Sequence, residues 1–123
     1  RPNTAFDLKR ATAKAKVPAI RAFLKDLLEL TVIPSGDKVI LFGHYAEVIA
    51  AMEDVVVTLK SSHPLDYIKI TGDTPVSERE RLADHFRNAH KCQVAILSMQ
   101  SSGTGHNFTC ASLVVFAELD WNP

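Results

Sequence analysis

Two apolar runs near the end of the chain flank the polar stretch SMQSSGTGHN, residues 98–107. Gly103 and Gly105 sit one residue apart in it. Glycine lets backbone N–H groups approach a charged ligand where a Cβ would stand in the way. The same pair also makes an ordinary tight turn, and spacing alone leaves both readings open. Neither established phosphate loop is present. No G-x-x-x-x-G-K-[ST] run occurs, and Gly103-Thr104-Gly105 is followed by His106-Asn107-Phe108, which breaks G-x-G-x-x-G. His44 follows an apolar run and has two roles open to it, a base or a residue ordering the next helix. No nucleophile, base and orienting group stand together, so the chain names no catalytic residue. Arg79 falls in the first turn of a predicted helix, where the macrodipole disfavours a cation. An anionic partner is expected for it, a phosphate or a carboxylate from a neighbouring lobe. His90 and Cys92 are close in sequence, but no second pair supports them, so no metal site is expected.

These loops need elements to hold them. Ile20, Phe23, Leu24, Leu27 and Leu28 recur at helical spacing, with Pro18 expected in the first turn and the helix ending before PSGD. KVILF, YIKI, QVAILS and SLVVFAE read as strands. Unbroken apolar runs of this length suit a parallel sheet covered on both faces. Val48, Ile49, Met52, Val55, Val56 and Leu59 mark a second helix. TGDTPVSERERLADHF reads as a turn and a third helix. Thr74 is the expected N-cap with Pro75 at the first helical position; Ser77 with Glu80 is the alternative. Strands alternating with helices give an α/β layered domain. In such sheets ligands bind beyond the carboxyl ends of the strands. GHY, TGDT, SMQSSGTGHN and ELDW all follow strands, so all are expected on one edge.

Composition narrows the class. The chain has 123 residues, with 14 basic and 14 acidic side chains. That is one domain with no overall charge signal for nucleic acid. Arg1, Lys9, Arg10, Lys14 and Lys16 cluster early, and residues 1–15 lack periodicity, so they are expected to be a basic linker, with a strand that touches phosphate as the alternative. Two cysteines make no disulfide framework. No apolar run approaches membrane-spanning length, so no membrane partner is expected.

Four blocks, in order, resemble the second RecA-like lobe of the Swi/Snf-related helicase-like ATPases. They are KVILFGHY, IKITGDTPVSERERLADHF, VAILSMQSSGTGHNFTCASLVVF and DWNP. AKVPAI, the Met-Gln-Ser-Ser-Gly run after Ser98 and VVFAEL resemble the annealing-helicase, fork-remodelling branch. The resemblance implies a RecA-like parallel sheet over residues 16–123, truncated before the arginine-finger motif that follows DWNP in the family. It implies a motor that uses ATP and Mg to move on double-stranded or forked DNA, in the nucleus, in chromatin remodelling and DNA repair. The phosphate cradle and the Mg-binding acids belong to a first lobe, the partner this chain would need, so the chain alone is expected to be inactive. Carried over by position, Ser98, Met99 and Gln100 lie along the DNA backbone, with Gly72 and Thr74 on the same strand and Arg79 beside them. Gly103, Gly105 and Asn107 face the nucleotide. Met99 stands where the wider family often has a hydroxyl. Two other readings share the architecture: a non-catalytic interaction module and the second lobe of an RNA helicase.

Overall fold

Apolar runs become adjacent parallel strands in the computed structural model, which describes residues 4–8, 13–98 and 108–117. The strands are β1 (Thr4–Leu8), β2 (Val39–Gly43), β3 (Asp66–Ile70), β4 (Cys92–Ser98) and β5 (Leu113–Ala117). They form a five-stranded sheet in the order β1-β5-β2-β4-β3, and every pairing is parallel. The helices are α1 (Ala13–Leu27), α2 (Ile33–Ser35), α3 (Ala46–Lys60) and α4 (Val76–Asn88).

Strand alternation divides the core in two. Val39, Leu41, Val94, Ile96 and Val115 face one layer, packed with Ile20, Leu24 and Leu28 and with Met52 and Val56 of α3. Ile40, Ala95, Leu97, Ile68 and Ile70 face the other, with Phe86 of α4. Burial on both faces explains the unbroken runs: every residue of β4 is buried. The α/β reading of the sequence is therefore the observed architecture.

Four local expectations need correction. Residues 1–15 are not linker throughout, because Thr4–Leu8 pairs with β5 at the sheet edge. Backbone pairing with a distant strand leaves no periodic mark in five residues. Pro18 lies inside α1, which begins at Ala13, so it is beyond the first turn. The first helix does not stop before Pro34. It widens into a π-helical turn over Leu28–Val32, continues as α2 through Pro34, and ends at Gly36 in the left-handed region, φ 77°. The N-cap of α4 is Pro75, not Thr74, and neither a side-chain cap nor the Ser77 box forms. The Thr74 hydroxyl instead accepts the Thr71 N–H at 2.9 Å.

Gln93 ties the widened helix end to the sheet. It is 5% exposed, and its Nε2 donates to the carbonyls of Val32 at 2.7 Å and Asp37 at 2.8 Å. Replacing it with leucine leaves the Asp37 carbonyl without that donor and removes one of the donors to Val32. Gln93→Leu is expected to lower stability by about 1–3 kcal/mol, the cost of stranding buried polar groups, as read by chemical denaturation.

Candidate functional site

The carboxyl ends of β2, β3 and β4 meet in a cleft of about 330 Å³. His44 comes from the β2–α3 connection, Ala46 from the start of α3, Thr71, Gly72 and Asp73 from the β3–α4 loop, and Ser98 from the last position of β4. Register places Ser98 beside Gly43, so the serine side chain emerges where the central strands stop. Gly43 is tightly packed: a Cβ there would stand 2.9 Å from Met52 Cε and 3.0 Å from Ile49 Cδ1, so both side-chain ends would have to shift to admit it. Gly72 differs. No described atom lies within 4 Å of where its Cβ would be, and its φ is not in the left-handed region. Within the described residues, nothing in the fold requires a glycine at that position.

The β3–α4 loop is held in shape by its own polar groups. Thr71 N–H donates to Thr74 Oγ1 at 2.9 Å, Asp73 N–H to Thr71 Oγ1 at 3.2 Å, and Thr74 N–H to the Thr71 carbonyl at 3.1 Å. Arg79 closes the loop from α4. Its Nε donates to the Thr74 carbonyl at 2.9 Å and its Nη2 to the Gly72 carbonyl at 3.3 Å. Within this lobe two carbonyls engage Arg79, and their dipoles offset a cation at the helix start. Arg79→Ala is expected to speed amide hydrogen exchange across residues 71–74 several-fold. Arg79→Lys should not restore protection, because a single ammonium lacks the planar fork that spans two carbonyls. Unchanged exchange in Arg79→Ala would show that the loop holds without it.

One wall of the cleft carries a half-buried polar network that the sequence hid. Glu53 of α3 accepts from Tyr67 Oη at 2.6 Å and Lys69 Nζ at 2.8 Å. Burial pushes the Glu53 carboxyl up, but the hydrogen bonds from Lys69 and Tyr67 outweigh it, and the group lies below its ordinary value. Burial, with the Glu53 bond adding to it, pushes Tyr67 up to about 12. A lowered carboxylate contributes stability that is present above its unfolded value and is lost as pH falls through its folded value. The signal available in the sequence was Lys69, the one charge interrupting an apolar strand.

The structure thus brings Gly72 and Ser98 to one cleft, with Thr74 and Arg79 shaping the loop that carries Gly72. His44 lines the same cleft and packs edge-on against Tyr45 at 4.7 Å, while Tyr45 occupies the N-cap position of α3. Met99, Gln100, Gly103, Gly105 and Asn107 lie outside the described residues, as does the ELDW loop. Glu53, Lys69 and Asp73 join the cleft without having been named as site residues.

Comparison with known proteins adds the family. Residues 20–123 match the family described as "Helicase conserved C-terminal domain". The chain is 40% identical over 114 residues to the DNA annealing helicase and endonuclease ZRANB3 of Mus musculus, covering 93% of this chain and 10% of that protein. It is 37% identical over 112 residues to the SWI/SNF-related matrix-associated actin-dependent regulator of chromatin subfamily A-like protein 1 of Drosophila melanogaster, covering 91% of this chain and 14% of that protein. The chain therefore spans only a small part of the length of these relatives. Among solved structures, the C-terminal part of the Fun30 ATPase domain superposes with a TM-score of 0.71 at 29% identity, over 83% of this chain and 32% of that one. The Sulfolobus solfataricus SWI2/SNF2 ATPase core domain shares the fold, with a TM-score of 0.57 at 15% identity, over 75% of this chain and 24% of that one. A parallel sheet with its polar cleft at the carboxyl edge, matched along nearly its whole length, makes this chain a member of the helicase conserved C-terminal domain family, among its Swi/Snf-related ATPases.

Proposed function

We propose that the chain is the second motor lobe of an ATP-dependent translocase on double-stranded DNA, of the annealing or fork-remodelling type. The observation that carries this reading is Gly72. It is a glycine with open space at its Cβ position, at the mouth of a cleft, on a loop locked by Arg79. A glycine not needed by its own fold fits a backbone that a ligand must approach closely. Phosphate oxygens suit such a site, because backbone N–H groups and a serine hydroxyl are phosphate donors that position a duplex without reading its bases.

In this reading Ser98, Met99 and Gln100 follow one DNA strand with Gly72 and Thr74, and Arg79 keeps the loop in place. Gly103, Gly105 and Asn107 face the nucleotide across the cleft between lobes. ATP, when bound, supplies the free energy for lobe movement. Glu53, already engaged by Lys69 and Tyr67, is poorly placed to serve as a Mg ligand, which fits acids on the first lobe in that role. The partners are the first RecA-like lobe and duplex or forked DNA, and the place of action is the nucleus. The identity to proteins named as an annealing helicase and as a regulator of chromatin supports this assignment.

The test compares the 123-residue chain with a two-lobe protein containing it. The chain alone is expected to give no ATP turnover with or without duplex DNA. The two-lobe protein should hydrolyse ATP, with stimulation by duplex DNA and displacement of a third strand from a triplex. Turnover by the chain alone, or a two-lobe protein indifferent to duplex and stimulated by RNA, would overturn the reading.

A further inference from the structure

The edge of the sheet opposite the cleft gathers residues that the motor reading leaves unused. Asp66 opens β3, Cys92 opens β4, and His85 lies in the last turn of α4. These residues are far apart in sequence. In the fold their carboxylate, thiol and imidazole ligand atoms all lie within 4.8 Å of one another. His63 and His90 line an open cavity together with Asp66 and His85. From the arrangement of these groups, we propose that Asp66, His85 and Cys92 form a binding site for a borderline-soft divalent metal ion of the zinc class. A histidine of the cavity or a water would complete the tetrahedron.

One pair of ligand atoms is already near its spacing in a loaded site. Around a tetrahedral zinc, oxygen and nitrogen ligands bonded at about 2.0 Å stand about 3.3 Å apart. His85 Nε2 and Asp66 Oδ2 are now 2.7 Å apart in a hydrogen bond, so they have to part by less than an ångström. The His85 side chain is 44% exposed and that of Asp66 is 35% exposed, which leaves both room to turn and gives an ion a way in. Cys92 is fully buried and is fixed by its place in β4, so it is the rigid member of the set.

The surrounding charges select the kind of ion. Lys60 Nζ holds the other oxygen of Asp66 at 3.1 Å, and Lys38 Nζ donates to the carbonyls of Ala89 and Cys92, each at 2.7 Å. Lys91 also lines the cavity. Ca²⁺ and Mg²⁺ depend on oxygen ligands and negative charge, and these ammonium groups work against them. A thiolate–imidazole pair binds zinc-class ions through more covalent bonds and tolerates nearby cations better. The thiol proton of Cys92 leaves to solvent on binding. Burial, with the Asp66 charge adding to it, otherwise pushes that thiol up to about 12. The site would pin α4 to β3 and β4 at the ends remote from the β3–α4 loop. It does not depend on the motor assignment, and its readout involves neither ATP nor DNA.

The experiment is a Co²⁺ titration of the reduced, untagged 123-residue chain, followed by displacement with Zn²⁺. One equivalent is expected, with tetrahedral ligand-field bands and a sulfur-to-cobalt charge-transfer band, and Zn²⁺ should abolish both. Cys110→Ser should keep the signal, since Cys110 is exposed and outside the trio. Cys92→Ser should lose the charge-transfer band. Because that change is in the core, His85→Gln is the second variant. It sits on the surface, should leave the metal-free chain folded as judged by circular dichroism, and should weaken Co²⁺ binding at least about 100-fold. Loss of even an outer-shell partner costs about 10–100-fold, which sets this floor. Absence of a charge-transfer band would show that Asp66 and His85 form only an ion pair, and would overturn the site. A band that follows Cys110 instead of Cys92, or parent-like affinity in His85→Gln, would overturn it equally.

Discussion

Ile96→Ala is expected to cost about 2–5 kcal/mol in chemical denaturation. Ile96 is fully buried, and it stands in β4 between Leu41 of β2 and Lys69 of β3 in the parallel register. Its side chain belongs to the layer that holds Leu24, Leu28, Met52 and Val56. Removing it loses its own transfer free energy and leaves a hollow that strands on both sides prevent from closing. A small domain has about 5–15 kcal/mol of stability, so the change would remove a large share of it. Leu30 provides the contrast: it is 71% exposed, and Leu30→Ala should stay within about 0.5 kcal/mol of the parent. If Ile96→Ala also stayed within that margin, β4 would not be the centre of the core.

Gly72→Ala is expected to separate stability from function. The added methyl meets no described atom within 4 Å, and the local φ is one that alanine accepts. Alanine also restricts the unfolded chain, so folding stability should hold or rise by about 0.4–1 kcal/mol. In a two-lobe protein containing this chain, the same methyl would occupy space that the proposed DNA phosphate needs. DNA-stimulated ATP turnover at limiting duplex should fall about tenfold or more, equivalent to about 1.4 kcal/mol. Thermal melting and turnover measured on the same preparation decide the matter. A variant that melts lower and loses activity in parallel would make Gly72 a structural residue. One that melts normally and keeps full stimulation would take the β3–α4 loop off the DNA.

Much of the architecture was legible because apolar runs carry it. The strands β2 to β5 and the helix α3 are marked by burial on both sheet faces and by helical spacing, which are properties of contiguous residues. What escaped depends on partners distant in sequence. β1 exists through its register with β5, and Gln93 matters because two carbonyls upstream face it. The start of α4 was misplaced by one residue because the Thr74 hydroxyl had a competing use. Capping a helix and closing a turn draw on the same oxygen, and here the turn at Thr71 takes it. In the site, Gly72 and Ser98 were readable from loop position and family resemblance. The Glu53–Tyr67–Lys69 network was not, since it joins a helix to a neighbouring strand.

The sheet order has a consequence for how the chain reaches its fold. β1 is first in sequence yet its partner is β5, so its pairing closes a loop from Thr4 to Leu113, nearly the whole described chain. Such a contact is entropically remote and cannot reward the chain until the last strand is in place. β2, β4 and β3 with α3 and α4 can assemble before that. The earliest strand of this segment therefore docks last, and the edge of β2 must wait for β5 before β1 can add outside it.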